Sequence, residues 1–133
     1  MNALILQPTS STPGVWFEPE IGRFELTGNS IPENASEFYQ PIMAWLNHHL
    51  PEMRGPQVLQ MHLSYFNSTS LKAIYRLLKC IKDANTMGAN VTVRWYSEED
   101  DELLLETVDM LSDMLDMHME IMPAEDPGQR AAV

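Results

Sequence analysis

Cysteine is almost absent from this sequence. Cys80 stands alone among 133 residues, so the chain can close no disulfide on itself, and a reducing compartment is expected. Positive charge is scarce too: 8 Lys and Arg face 19 Asp and Glu, leaving a formal charge of -11 at pH 7. That balance argues against nucleic-acid binding, which needs clustered cations for the phosphates, and against a polybasic membrane-surface protein. No apolar run is long enough to cross a bilayer, so no membrane insertion is expected. The opening Leu4-Ile5-Leu6 run lacks a charged flank and stops at Pro8, unlike a signal peptide. A soluble, acidic, cytoplasmic domain is the expectation.

Catalytic and ligand-binding signatures are missing as well. There is no glycine loop of the kinds that cradle phosphates. His48 and His49 are consecutive and diverge on a helix, while His62 and His118 lack ligand-like companions, so no metal and no other cofactor is expected. Ser68 lies near His62 in sequence, but no nucleophile-elbow glycines flank it and no triad pattern appears. A small hydrolase is therefore the weakest functional reading, and a non-enzyme is expected.

What is present is an alternation of strand and helix patterns. The hydrophobic share of 44% suits one domain with a real core. Residues 15–18 and 23–27 read as two strands joined by Pro19-Glu20-Ile21-Gly22, an antiparallel hairpin. Asn34 and Glu37 resemble a capping box opening a helix. That helix is expected to bury Phe38, Ile42, Trp45, Leu46 and Leu50, with Pro41 kinking it or marking its effective start. Residues 58–63 alternate as a half-buried strand, with Leu59, Met61 and Leu63 on one phase. Leu71, Ile74, Leu77, Leu78 and Ile81 then share one face of a helix over residues 68–87, and Gly88 is placed to cap it. Residues 91–96 are β-branched and aromatic, hence a strand. The acidic run 98–102 opens a third helix, its carboxylates favoured by the positive helix end, with Leu104, Val108, Leu111 and Leu115 turned inward. Residues 119–122 read as a short final strand. This order predicts a single mixed α/β domain with parallel crossovers, entered through the hairpin. Residues 1–10 are expected to lie loosely, 11–123 to form the domain and 124–133 to make a flexible tail.

The chain is organised around the segment 65–72, where strand pattern gives way to helix pattern. In sheets with parallel crossovers, functional loops sit at the carboxyl ends of strands. Asn67-Ser68-Thr69-Ser70 occupies that position. Its side-chain oxygens can cap the coming helix. Its hydroxyls are also within easy reach of a kinase, and a phosphate there would meet backbone donors and the positive helix end. From spacing alone, capping and a phosphorylation site stay equally open. Elsewhere, Cys80 falls inside a helical pattern and reads as a packed core thiol. Met110, Met114 and Met117 repeat at helix spacing, with Met119 and Met122 beyond them. They form either an adaptable partner surface or, as expected for a helix that must bury a face, a sheet-facing row. Asp109, Asp113 and Asp116 read as a solvated face.

Four segments carry a resemblance to a known family: Ser11-Thr12-Pro13, Gly28-Asn29-Ser30-Ile31-Pro32-Glu33-Asn34, Leu63-Ser64-Tyr65-Phe66-Asn67-Ser68-Thr69-Ser70 and Val93-Arg94-Trp95-Tyr96. Together they resemble the SiaC family of bacterial regulatory phosphoproteins. The resemblance implies a fold similar to STAS domains and anti-sigma-factor antagonists, and a partner-switching role. A serine/threonine protein kinase would phosphorylate a hydroxyl just after Asn67, and a PP2C-type phosphatase would remove the phosphate. The unphosphorylated form would bind and activate a diguanylate cyclase, raising cyclic di-GMP and promoting biofilm formation. By position the acceptor falls on Ser68, where the family's namesake has threonine, with Thr69 the second candidate. The implied partner surface comprises Asn67, Ser68, Thr69, Ser70 and Lys72. An anti-sigma-factor antagonist acting on transcription is the alternative.

Overall fold

The six strands of the computed structural model stand side by side in the order in which they occur in the chain. They are β1 (Leu4–Leu6), β2 (Gly14–Glu18), β3 (Arg23–Ser30), β4 (Gln57–Phe66), β5 (Val91–Ser97) and β6 (Glu120–Pro123). The first three are antiparallel, and β3 to β6 run parallel. Each parallel step is made by one helix: α1 (Ala35–His49), α2 (Ser68–Thr86) and α3 (Glu102–Leu115). The structure describes residues 2–124; of the tail expected over 124–133, only Ala124 is described, its N–H donating to the Ser97 carbonyl at 2.8 Å, and the rest lies outside the described residues. Within them, no helix is long and apolar enough to cross a membrane.

Successive right-handed crossovers that always step in the same direction place all three helices on one face of the sheet. Burial follows the same division. Leu59, Met61 and Leu63 of β4 are buried beneath the helices, as the alternation predicts, together with Phe24, Leu26, Val93 and Trp95. The helices close this core with Ile42 and Leu46, with Ile74, Leu77, Leu78 and Ile81, and with Leu104, Val108, Leu111 and Leu115. The other sheet face bears no helix and is dressed with polar pairs. Arg23 donates to Glu25 at 2.8 Å and lies 3.7 Å over the Trp16 ring. Arg94 donates to Glu120 at 2.8 Å, which raises the guanidinium pKa further.

Four expectations need correction. The N-terminal segment is not loose throughout. Leu4–Leu6 pairs antiparallel with β2, and the Trp45 Nε1–H donates to the Asn2 carbonyl at 2.8 Å. Pro41 does not start α1, which begins at Ala35 with Asn34 Oδ1 accepting from the Glu37 N–H. Pro41 lies on the exposed side, where solvent can satisfy the carbonyl it leaves unpaired. Phe38 is only half-buried, and its neighbour Tyr39 takes the core position. Finally, β4 continues past Leu63 to Phe66.

Candidate functional site

The segment that leads into α2 is aimed by an irregularity in β4. Gly28 pairs with Leu63, but Asn29 pairs with Tyr65, so Ser64 is an extra residue opposite β3. A bulge of this kind shifts the side-chain phase of the strand beyond it. Phe66 consequently turns toward the core, 6.2 Å from the Trp95 ring, while Tyr65 points out and is exposed. On the partner strand Gly28 has φ +107, a conformation that L side chains rarely adopt.

Beyond the bulge, Asn67 caps α2. Its Oδ1 accepts from the Ser70 N–H at 2.9 Å, and its own N–H donates to the Ser30 carbonyl at 3.2 Å. The three hydroxyls that follow have different fates. Ser70 is 0% exposed and donates to the Ser30 carbonyl at 2.8 Å. Ser30 Oγ donates in turn to Ser70 Oγ at 2.8 Å. With the Ser30 proton so used, Tyr39 Oη is the donor in its 2.7 Å bond to Ser30 Oγ. Burial pushes the Tyr39 hydroxyl up to about 12, and the Ser30 bond opposes that rise. Thr69 is exposed, but its Oγ1 donates to Asn67 Oδ1 at 3.0 Å. Ser68, the first residue of α2, is exposed, and its hydroxyl makes no hydrogen bond among the described residues.

Of the expected site residues, Asn67, Ser68, Thr69 and Lys72 thus reach the surface or its edge. Ser70 does not, because its hydroxyl belongs to the buried network beneath the loop. Lys72 is exposed, one helical turn beyond Ser68. The sequence reading missed Ser30 and Tyr39, which hold the loop from below. It missed the groove beside the loop as well. Phe66, Leu71, Leu103 and Leu104 line a cavity of about 250 Å³ with Ser68 at its edge. Asp101, from the acidic run, also reaches it and caps α3 by accepting from the Leu104 N–H at 3.0 Å.

His62 and Ser68 are not brought together as a nucleophile and base. His62 lies on the helix-free face of β4, its ring stacked on Tyr96 at 3.9 Å, whereas Ser68 begins a helix on the other face. Cys80 is not a core thiol. It is half-buried in a groove of about 420 Å³ between α1 and α2, and its Sγ donates to Asn47 Oδ1 at 3.5 Å. Burial raises its pKa, Asp83 adds to the rise, and Lys79 opposes it. The methionines divide: Met117 and Met119 are buried, but Met110 and Met114 are exposed. Among the described residues, no cluster of His, Cys, Asp and Glu could hold a metal ion.

Fold and loop together define a mixed-sheet α/β domain that presents hydroxyls at a strand-to-helix junction. The chain belongs to the SiaC family of regulatory phosphoproteins, whose family model matches residues 6–124. It is 30% identical over 106 residues to an uncharacterized protein of Pseudomonas aeruginosa (strain UCBPP-PA14), covering 80% of this chain and 84% of that one. It is similar in structure to SiaC of Pseudomonas aeruginosa, with a TM-score of 0.77 and 28% identity over 94% of this chain and 100% of that chain. It is equally similar to a chain in the crystal structure of the diguanylate cyclase SiaD in complex with its activator SiaC, from the same organism. There the TM-score is 0.79 and identity 26%, over 91% of this chain and 98% of that chain.

Proposed function

We propose that this protein is a non-catalytic cytoplasmic regulator that docks on a diguanylate cyclase and activates it while Ser68 is unphosphorylated. A serine/threonine protein kinase adds the phosphate and a PP2C-type phosphatase removes it. The observation that carries the reading is the ranking of three neighbouring hydroxyls. Ser70 is sealed in the core, Thr69 is engaged with Asn67, and of the three only Ser68 is both exposed and without a partner among the described residues. The complex of a structurally similar chain with a diguanylate cyclase supports the choice of partner.

The physics of the switch is local. Phosphorylation adds roughly 1.5 to 2 negative charges at the start of α2. The first-turn N–H groups have no intrahelical partner and tolerate the phosphate in the free protein. In a docked complex the same group must lose water or face partner carboxylates, which costs a few kcal/mol, roughly tens- to thousands-fold in affinity. No refolding is required. The test measures cyclase binding and cyclic di-GMP synthesis with each Ser68 variant. Ser68→Ala is expected to bind and activate like the parent, and Ser68→Asp to bind at least about tenfold more weakly. Equal affinity for both would end the reading.

A further inference from the structure

The groove beside Ser68 is the near end of a longer feature. Leu103, Met110 and Met114 recur at seven- and four-residue steps and therefore share one phase of α3. That phase is distinct from the buried one of Leu104, Val108, Leu111 and Leu115. The three side chains are 72%, 42% and 59% exposed, an apolar row that a free surface does not ordinarily carry. Leu103 lines the cavity against Leu71, so the row borders α2. At the far end Lys82 Nζ donates to the Asp116 carbonyl, joining the two helices where the trough closes.

The two walls carry opposite charge. On α3, Glu102, Glu106, Asp109 and Asp113 are all exposed, and no Lys or Arg occurs between Glu102 and Leu115. On α2, Lys72 and Lys79 are exposed, and the first carboxylate of the helix is Asp83 near its far end, which pairs with Lys79 at 3.5 Å and leaves Lys72, among the described residues, as the free cation beside Ser68. An apolar floor between a cationic and an anionic wall is complementary to one kind of ligand. We propose that the α2–α3 trough docks a single amphipathic helix of a partner. Its apolar stripe lies on Leu103, Met110 and Met114, its cations run along α3 and its carboxylates along α2. Unbranched methionines suit such a contact because they repack cheaply against different side chains. The 14 residues of α3 offer roughly 20 Å of length, enough for three to four turns of partner helix.

The proposal rests on the phosphorylation reading at one point only. Ser68 stands at the head of the cationic wall, one turn before Lys72, so a phosphate there reverses the local sign and meets the partner's carboxylates. The experiment titrates the full chain with a synthetic helical peptide that carries a leucine stripe, one edge of lysines and one edge of glutamates. Calorimetry and amide chemical shifts provide the readout. Combined Leu103→Ser, Met110→Ser and Met114→Ser, all at exposed positions, is expected to weaken binding about tenfold or more. Combined Glu106→Lys and Asp109→Lys is expected to weaken it severalfold, with the loss fading as salt is raised. Unchanged affinity in the serine variant would overturn the proposal. So would tighter binding of a peptide with lysines on both edges, because that outcome reports attraction to a net negative chain. The peptide contains no cyclase sequence. Its failure therefore speaks against the trough and leaves the phosphorylation reading standing, whereas a cyclase indifferent to Ser68→Asp does the reverse.

Discussion

The two ends of α2 use polar groups in opposite ways. At the C-terminal end the amides of Met87, Gly88, Ala89 and Val91 are all engaged. Gly88 N–H donates to the Asn85 carbonyl and Ala89 N–H to the Ala84 carbonyl, the bond pair that closes a helix at a left-handed residue. The Asn85 side chain then grips Val91 at both of its backbone groups, each at 2.9 Å, and so aligns the start of β5. At the N-terminal end the network is as dense below the loop, through Ser30, Tyr39 and Ser70, but it stops short of Ser68. One end is built only to hold. The other holds its neighbours but leaves the Ser68 hydroxyl free among the described residues, and that is the group the proposed modification would use without loosening the fold.

Four measurements break or sharpen this contrast. The largest effect belongs to the network under the loop. Tyr39 keeps its proton in the fold up to about 12, while the unfolded chain releases it near 10.0. The stability this group contributes is therefore complete below pH 10 and falls as pH climbs toward 12, by roughly 3 kcal/mol in all. Urea unfolding across that range should show the slope in the parent and its loss in Tyr39→Phe. Next, Asn85→Ala leaves both backbone groups of Val91 without their partner and should cost about 2 kcal/mol, read as a lower urea midpoint. If Ser70→Ala costs far less than this, the two ends are not equally wired. Gly88→Ala comes third. Nothing lies within 4 Å of the added Cβ, so the cost is the positive φ alone, about 1 kcal/mol by thermal denaturation. The smallest effect is at Ser68, where alanine should move stability by less than about 0.5 kcal/mol. A larger loss would mean that the hydroxyl supports the fold after all.

Much of this architecture was legible because it is written in local periodicity. The inward row of α2, the alternation of Leu59, Met61 and Leu63, the hairpin at Pro19 and the Asn67 cap all follow from neighbours within a few residues. What escaped depends on distant parts of the chain. The bond between Ser30 and Ser70 spans 40 residues, and nothing near either one signals it. The extra residue at Ser64 exists only relative to β3. Leu4–Leu6 is too short to declare itself as a strand until β2 is beside it. Tyr39 displaced Phe38 from the core because a buried hydroxyl partner waited at the end of β3, which periodicity does not record. The exposed rows of α3 were likewise ambiguous, since methionine at helical spacing fits a core and a surface equally well.

The helix-free face of the sheet has a consequence for behaviour at high concentration. A broad β-surface is ordinarily adhesive, because a second one can be laid flat against it. Here such an approach would have to strip water from the Arg23–Glu25 and Arg94–Glu120 carboxylates and guanidinium groups. Ionic upholstery of this sort makes the bare side of the molecule a poor glue, and it leaves association to be governed from the helical side.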